Sequence, residues 1–273
     1  MTISKYNLLS ILEEHKNNFF QSAKVALTDP VGKNLKKYRV SVRKLIAFNH
    51  FILLISGGGY YKVIEKELKK IIKDFNPIRD NQVLLKIVNL SISKNKKLEN
   101  LKSYLEHSDN SLLDSNIYFK ISKQFQVIST LLIWQKFYIT TNFPDNEVIE
   151  NNIDNTYKQL ENNLNIGFHN VNRTDGKSIH KLRIAIKKFR YIDQIAEKFY
   201  NKKSKYSNIE ELQEIMGQIQ DINVLQKSIM DYMDSNQKIS DNSVENYYEE
   251  IEQQKEEKIE EMMIQIRKNL NIG

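Results

Sequence analysis

The chain of 273 residues is 40% hydrophobic, carries 41 Lys and Arg against 34 Asp and Glu, and contains no cysteine. This length and apolar content can form one large or two medium domains with a core of their own. The missing cysteines exclude disulfides and thiolate metal sites, and the formal charge of +7 indicates an anionic partner.

The longest apolar run, at residues 45–55, is interrupted by Asn49 and His50 and is too short to span a bilayer. The first twenty residues place an acidic pair, Glu13 and Glu14, soon after their first apolar side chains, which is untypical of a signal peptide. We therefore expect a cytoplasmic protein without a membrane partner.

Three prolines and eight glycines separate long segments in which apolar residues recur with helical spacing, and this pattern predicts an all-α fold with long helices. Pro77 is expected in the first turn of a helix, and Gly217 between two helices. The predicted helices lie at about 3–27, 33–56, 60–74, from Pro77 onward, 112–141, 147–165, 177–200, 205–216, 218–236 and 242–270.

The last of these helices is acidic, because residues 241–262 hold nine acidic residues and two lysines. The rest of the chain is therefore more basic than the average suggests. The acidic side is most simply a solvated helix face, and the alternative is that it shields the basic body from within the molecule.

The segment 177–200 separates a basic stripe from an apolar one. At about 100° per residue, His180, Arg183, Lys187 and Arg190 fall within a quarter of the helix circumference. Charge runs usually solvate a helix, so this segment alone does not establish a site. The side chains expected in the core are Leu182, Ala185, Ile186, Phe189, Ile192 and Ala196.

The basic stripe occurs twice. KKYRVSVRKL at 36–45 aligns with HKLRIAIKKF at 180–189, and FNPIRDNQVLL at 75–85 aligns with MGQIQDINVLQ at 216–226. Two echoes in the same order indicate an internal duplication, which we assign to the halves 1–142 and 143–273.

The second echo superposes Asp80 on Asp221. We favour a structural role, in which each aspartate caps a helix or pairs with a basic residue. The alternative is a catalytic or metal-binding carboxylate, but neither aspartate lies beside a second acid in its repeat.

At these positions the chain resembles the CHAD family, named for a conserved-histidine α-helical domain, whose pattern is H-x-x-R-hydrophobic-x-x-[RK]-[RK]-hydrophobic-R followed by L-G-x-x-R-D-x-x-V, each present twice. The resemblance implies two pseudo-symmetric four-helix bundles and binding of inorganic polyphosphate. The chain departs from the pattern at Lys36, which replaces the first histidine, at Ile46, which replaces the last arginine, and at Gln220, which replaces the arginine before Asp221. No strand-borne E-x-E-x-K stretch is present, so we expect a stand-alone copy.

The resulting hypothesis is a non-catalytic polyphosphate-binding protein, without cofactor or metal, that locates itself at polyphosphate granules. The alternatives are a nucleic-acid-binding protein, for which no recognition motif is found, and a phosphohydrolase. The predicted polyphosphate-binding residues are Lys36, Arg39, Arg43, Lys44, Arg79, His180, Arg183, Lys187, Lys188 and Arg190.

Overall fold

The protein is all-α over the residues that a computed structural model describes, which are 5–30, 32–56, 60–92, 98–112, 116–142, 146–200, 208–235 and 242–270. Within these ranges there are nine helices and no strand, which confirms the predicted all-α class. No helix in the described part of the chain is long and apolar enough to cross a membrane. The helices are α1 (Lys5–Thr28), α2 (Gly32–Ser56), α3 (Tyr60–Ile92), α4 (Glu99–Leu112), α5 (Asn116–Asn142), α6 (Asn146–Asn170), α7 (Gly176–Tyr200), α8 (Ile209–Ser235) and α9 (Asn242–Leu270).

Two predicted helix breaks are wrong. Helix α3 continues through Pro77, and α8 continues through Gly217. A proline within a helix removes one backbone hydrogen bond and crowds the preceding turn, and a glycine costs about 1 kcal/mol relative to alanine. In both helices the buried apolar residues on either side of the break offset that cost, for example Phe75 and Ile78 around Pro77.

Helix α4 was not anticipated, because residues 99–112 are mostly polar. Among the side chains of α4 that the structure describes, those of Leu101 and Leu105 are fully buried. Asn81 of α3 donates a hydrogen bond from Nδ2 to the Leu105 carbonyl over 2.9 Å, which ties α4 to α3. Such a contact between distant segments carries no local sequence signal.

The chain forms two compact units that interleave along the sequence. Unit 1 consists of residues 1–76, 115–167 and 184–205, and unit 2 of residues 77–114, 168–183 and 206–273. Helices α3, α6 and α7 each contribute residues to both units. The halves 1–142 and 143–273 refer to the sequence repeat, and that duplication stays a prediction.

In unit 1, α1 packs against α2 and α5 around aromatic side chains. The ring centroids of Phe19 and Tyr38 lie 5.6 Å apart, and those of Tyr38 and Phe75 lie 5.7 Å apart. These contacts fix the rotation of α2 about its axis, and with it the direction in which the basic side of α2 points. The largest fully buried side chains of this unit include Phe19, Tyr38, Phe48, Phe51, Tyr61 and Phe75.

In unit 2, α8 packs against α9, and α3 and α4 complete the core. Ser91 and Tyr247 share a hydrogen bond of 2.8 Å between their hydroxyls at the edge of this core. The apolar centre consists of Leu84, Val88, Leu98, Leu101, Leu105, Leu225, Ile229, Val244, Tyr247 and Ile251.

Candidate functional site

The ten predicted binding residues divide between the two units. Unit 1 contains Lys36, Arg39, Arg43, Lys44, Lys187, Lys188 and Arg190, and unit 2 contains Arg79, His180 and Arg183.

Helix α2 presents its cations on the side opposite the core. Lys36 is exposed, and Arg43 and Lys44 are half-buried. Arg39 differs from them because it is only 4% exposed and its Nη2 donates a hydrogen bond to Asn76 Oδ1 over 2.6 Å. In the structure Arg39 therefore joins α2 to α3, and its contact with polyphosphate stays a prediction.

Helix α7 separates core from cations as its sequence predicts. Leu182, Ile186, Phe189 and Ile192 are buried, whereas His180 is exposed and Arg183, Lys187 and Arg190 are half-buried. Ala185 is half-buried, and the Ala196 side chain lies outside the described residues. The guanidinium carbon of Arg190 lies 5.5 Å from the centroid of the Tyr191 ring, which is cation–π range.

Repeat-equivalent positions on α2 and α7 have matching burial. Val42 and its equivalent Ile186 are fully buried, while Val40 and its equivalent Ile184 are 37% and 52% exposed. An apolar residue exposed at the same place on both basic helices is unexpected from hydrophobicity alone. The agreement favours the duplication and indicates that both helices present the same face.

In unit 1, Lys188 lies in an electrostatic cluster with His50, Glu65 and Lys69. Glu65 Oε1 is 2.5 Å from Lys69 Nζ, and its Oε2 is 3.7 Å from His50 Nδ1. Burial lowers the pKa of His50, and the positive charge of Lys188 lowers it further. Burial also lowers the pKa of Lys188. An anion bound at Lys188 would relieve this crowding of cations.

We expect the substitution Lys188→Gln to raise the pKa of His50, because it removes the repulsion and leaves the burial in place. Titration of the five histidine side chains by NMR between pH 4 and 8 would measure this shift. Lys24→Gln is the control, since Lys24 is exposed on α1. An unchanged or lower His50 pKa would place Lys188 too far away to act on it.

The His50 imidazole makes the stability of the folded protein depend on pH. The folded-state pKa of His50 is below its ordinary value of about 6.5, so the unfolded state binds more protons between the two values. His50 therefore disfavours the folded state as pH falls from about 6.5 to its folded-state pKa.

Helix α3 carries a row of lysines that is not among the predicted binding residues. An open hollow of about 490 Å³ in unit 1 is lined by side chains of this helix, and helical spacing at positions 62, 66, 69 and 73 could have revealed it. Lys69 and Lys70 pair with Glu65 and Glu67. The lining residues are Lys62, Glu65, Lys66, Lys69, Lys70 and Lys73.

Unit 2 contains a pocket of about 300 Å³ formed by the 171–175 loop and helices α7, α8 and α9. It brings together the predicted residues His180 and Arg183 with two cations outside the predicted set, Arg173 and Lys255. Gln220, one of the departures from the family pattern, also lines it. The other lining residues are Thr174, Gly176, Ile179, Met216, Ile219, Asn223, Glu256 and Ile259.

Acidic residues of α9 neutralise part of this pocket. Arg173 forms ion pairs with Glu256 and Glu260, at 3.2 and 2.9 Å between nitrogen and oxygen. Lys255 donates a hydrogen bond to Gln226 Oε1 over 3.1 Å. The acidic side of α9 thus does more than contact solvent, since it pairs with a cation at the pocket, as the shielding alternative predicts.

Arg79 bridges the two aspartates of the repeat. Its Nη1 lies 2.8 Å from Asp80 Oδ1 and 2.8 Å from Asp221 Oδ1, and its Nη2 donates to Asp221 Oδ2 over 3.2 Å. Burial lowers the pKa of Arg79, but the hydrogen bonds to both carboxylates outweigh it and raise the pKa overall. The structure therefore confirms pairing with a basic residue for both aspartates. No group of three or more His, Asp or Glu suited to a metal ion occurs among the described residues.

The comparisons with known proteins agree on one fold. A family model described as CHAD domain matches residues 10–229. The crystal structure of the CHAD domain from the plant Ricinus communis superposes with a TM-score of 0.69 at 16% identity, covering 96% of this chain and 91% of that one. PptA from Streptomyces chartreusis superposes with a TM-score of 0.72 at 10% identity, covering 98% and 99%. Among curated protein sequences none matches significantly.

Proposed function

Because the chain belongs to the CHAD domain family, we propose that it binds inorganic polyphosphate through the cationic surfaces of its two units, without hydrolysing it. The observation that carries this proposal is the unit 2 pocket, where His180 and Arg183, both predicted from the family pattern, are joined by Arg173 and Lys255. These four side chains can carry positive charge, and the carboxylates that pair with Arg173, those of Glu256 and Glu260, offset part of it.

Polyphosphate carries about one negative charge per phosphate on a flexible backbone without bases or sugars. A protein that binds it needs many cations and little shape selection, with arginine gripping two oxygens and lysine acting as a mobile point charge. In unit 1, Lys36, Arg43 and Lys44 on α2 meet this need. The lysine row of α3, which lies beside Lys188 through Glu65 and Lys69, extends the set.

Nucleic acid is the less suitable polyanion. Single strands are usually bound by exposed aromatic rings on which bases stack. On the basic helices, Tyr38 and Phe189 are fully buried and Tyr191 is half-buried against Arg190. The side chains exposed beside the cations are aliphatic, Val40 and Ile184, and offer no such stacking.

A competition assay tests the proposal. Labelled long-chain polyphosphate is bound at low salt and challenged with unlabelled polyphosphate, single-stranded RNA, duplex DNA and tripolyphosphate at equal phosphate concentration. We expect polyphosphate to displace the label at least tenfold more effectively than either nucleic acid. Equal displacement by RNA would overturn the choice of ligand. Release of phosphate with added Mg²⁺ would contradict the non-catalytic role.

We further propose that this binding places the protein at polyphosphate granules. A fluorescent fusion should colocalise with granules in cells that accumulate polyphosphate and disperse when polyphosphate synthesis is blocked. Colocalisation that persists without polyphosphate would assign the targeting to another partner.

A further inference from the structure

Helix α5 exposes an unusual amount of apolar surface. Among its exposed large hydrophobic side chains are Phe119 at 66%, Val127 at 39%, Ile133 at 64%, Trp134 at 57% and Phe137 at 57%. At about 100° per residue Val127, Trp134, Phe137 and Phe119 lie within about 80° of one another, and Ile133 lies about 40° beyond them. We call these five residues the α5 face.

The opposite side of α5 is the one that packs in unit 1. Ile121, Ile128, Leu132 and Ile139 are buried, so the helix is apolar on both sides. A helix with one buried side ordinarily turns polar residues to water, and one that is apolar all round is covered on both sides. The composition of α5 therefore predicts that a further protein surface packs against the α5 face.

The size of the α5 face exceeds what isolated exposed residues produce. Three rings exposed by more than half present roughly 100 Å² each, and Val127 and Ile133 add to them. The total approaches the roughly 300–600 Å² of the largest patch on a typical monomer, which is often functional. It is also about half of the roughly 800 Å² that each partner buries in a stable interface.

The charges on α5 favour a second copy of this chain as the partner that covers the α5 face. Helix α5 has lysines at 120, 123 and 136, no acidic residue, and no charge from 124 to 135. A second copy packed antiparallel about Thr130 would set Lys123 opposite Phe137, Val127 opposite Ile133, and residue 120 opposite residue 140. No lysine then meets another, whereas parallel packing would set each lysine against its equivalent.

We propose that the α5 face is the interface of a homodimer in which the two α5 helices pack antiparallel about Thr130. Lys123 of one copy lies over the Phe137 ring of the other, in a cation–π contact. The apolar centre is then sealed by neutral side chains such as Gln126 and Thr130. This inference is independent of polyphosphate binding.

The protein carries its own reporter, because Trp134 is the single tryptophan of the chain. We expect a dimer in light scattering at micromolar concentration, and a blue shift of the Trp134 emission as concentration rises from nanomolar to micromolar. A monomer throughout this range, with and without polyphosphate, would overturn the proposal.

Variants test the antiparallel register. Phe137→Lys sets a lysine against Lys123 and should weaken the dimer by roughly 100-fold, while the exposed position leaves the fold intact. Adding Lys123→Glu to that variant replaces repulsion by attraction, and should restore most of the loss. Met230→Lys is the matched control, because Met230 is 53% exposed on α8, and its dimer should equal the wild type. A double variant no tighter than Phe137→Lys, or an equally weakened control, would contradict the register.

Discussion

Replacing His180, Arg183 and Lys187 together by glutamine is expected to lower the affinity for long-chain polyphosphate at least a hundredfold at low salt. A hydrogen bond to a charged group contributes about 1.5–3 kcal/mol, and 1.4 kcal/mol is tenfold in affinity. The three losses of binding free energy are not fully additive, because a flexible polyanion redistributes over the remaining cations. We therefore expect less than their sum, and a hundredfold is the smallest loss of affinity that we expect.

The equivalent triple substitution on α2 replaces Lys36, Arg43 and Lys44 by glutamine. It should lower the polyphosphate affinity about tenfold, which corresponds to the loss of one charge-assisted contact. We expect the smaller effect because the first copy of the motif lacks the histidine and the last arginine, with Lys36 and Ile46 in their places. Near α7, in contrast, the unit 2 pocket adds Arg173 and Lys255. Equal losses from the two triples would show that both repeats contribute alike.

A matched control variant distinguishes the loss of specific contacts on α7 from a general effect of lower net charge. Lys24 and Lys120 are exposed on α1 and α5, and their change to glutamine removes two formal charges, as many as the loss of Arg183 and Lys187. Affinity should fall less than threefold there. The slope of log affinity against log salt should decrease by roughly 2 for the α7 triple, by analogy with single-stranded nucleic acids. Equal losses of affinity in the control and α7 variants would mean that polyphosphate binding depends only on the net charge of the protein.

Arg39 is absent from these variants although the sequence predicts it as a contact. It is buried and bonded to Asn76, so its replacement would change folding as well as binding. The predicted repeat aligns Arg39 with Arg183, but a sequence pattern does not show how deeply a side chain is buried. Of that pair, one is buried and the other half-buried, because neighbouring helices cover them to different extents.

The division of each helix into core and surface could be predicted from sequence, because it depends on local periodicity. The ends of α1, α2, α7 and α9 lie within two residues of their predicted positions for this reason. Pro77 and Gly217 were overestimated as breaks, since tertiary packing offsets a local cost of a few kcal/mol.

The contacts that complete the site depend on long-range packing. Arg79 and Asp221 are 142 positions apart, and Arg173 meets Glu256 across 83. Neither pair shares a periodic pattern that a single sequence reveals. The lysine row of α3 is different, because its helical spacing can be recognised in the sequence without knowledge of long-range packing.

Arg79, Asp80 and Asp221 form a cluster in which one guanidinium pairs with two carboxylates. At the position before Asp221 the chain has Gln220, where the family pattern has arginine. Arg79, before Asp80, therefore serves both aspartates, through separations of 2.8 Å to each. The side chains of Arg79, Asp80 and Asp221 are 30%, 35% and 20% exposed, so solvent screens the cluster only in part.

Arg79→Gln is expected to lower the free energy of unfolding by about 2 kcal/mol. Removing one member of a fully buried ion pair costs about 3–5 kcal/mol, and the partial exposure here reduces that figure. Urea denaturation would measure it. Adding Asp221→Asn should recover part of the loss, because it removes one of the two carboxylates left facing each other, with a coupling energy of about 1 kcal/mol.

The same variants decide between the two roles of Arg79. If Arg79→Gln destabilises the protein and leaves polyphosphate affinity within twofold, its guanidinium is committed to the aspartates, and the sequence prediction of a phosphate contact is wrong. If stability is unchanged and affinity falls tenfold or more, phosphate competes successfully with both carboxylates for Arg79. Asp80 and Asp221 would then hold the guanidinium in position for the ligand, and Asp221→Asn alone should raise the affinity by removing one competitor.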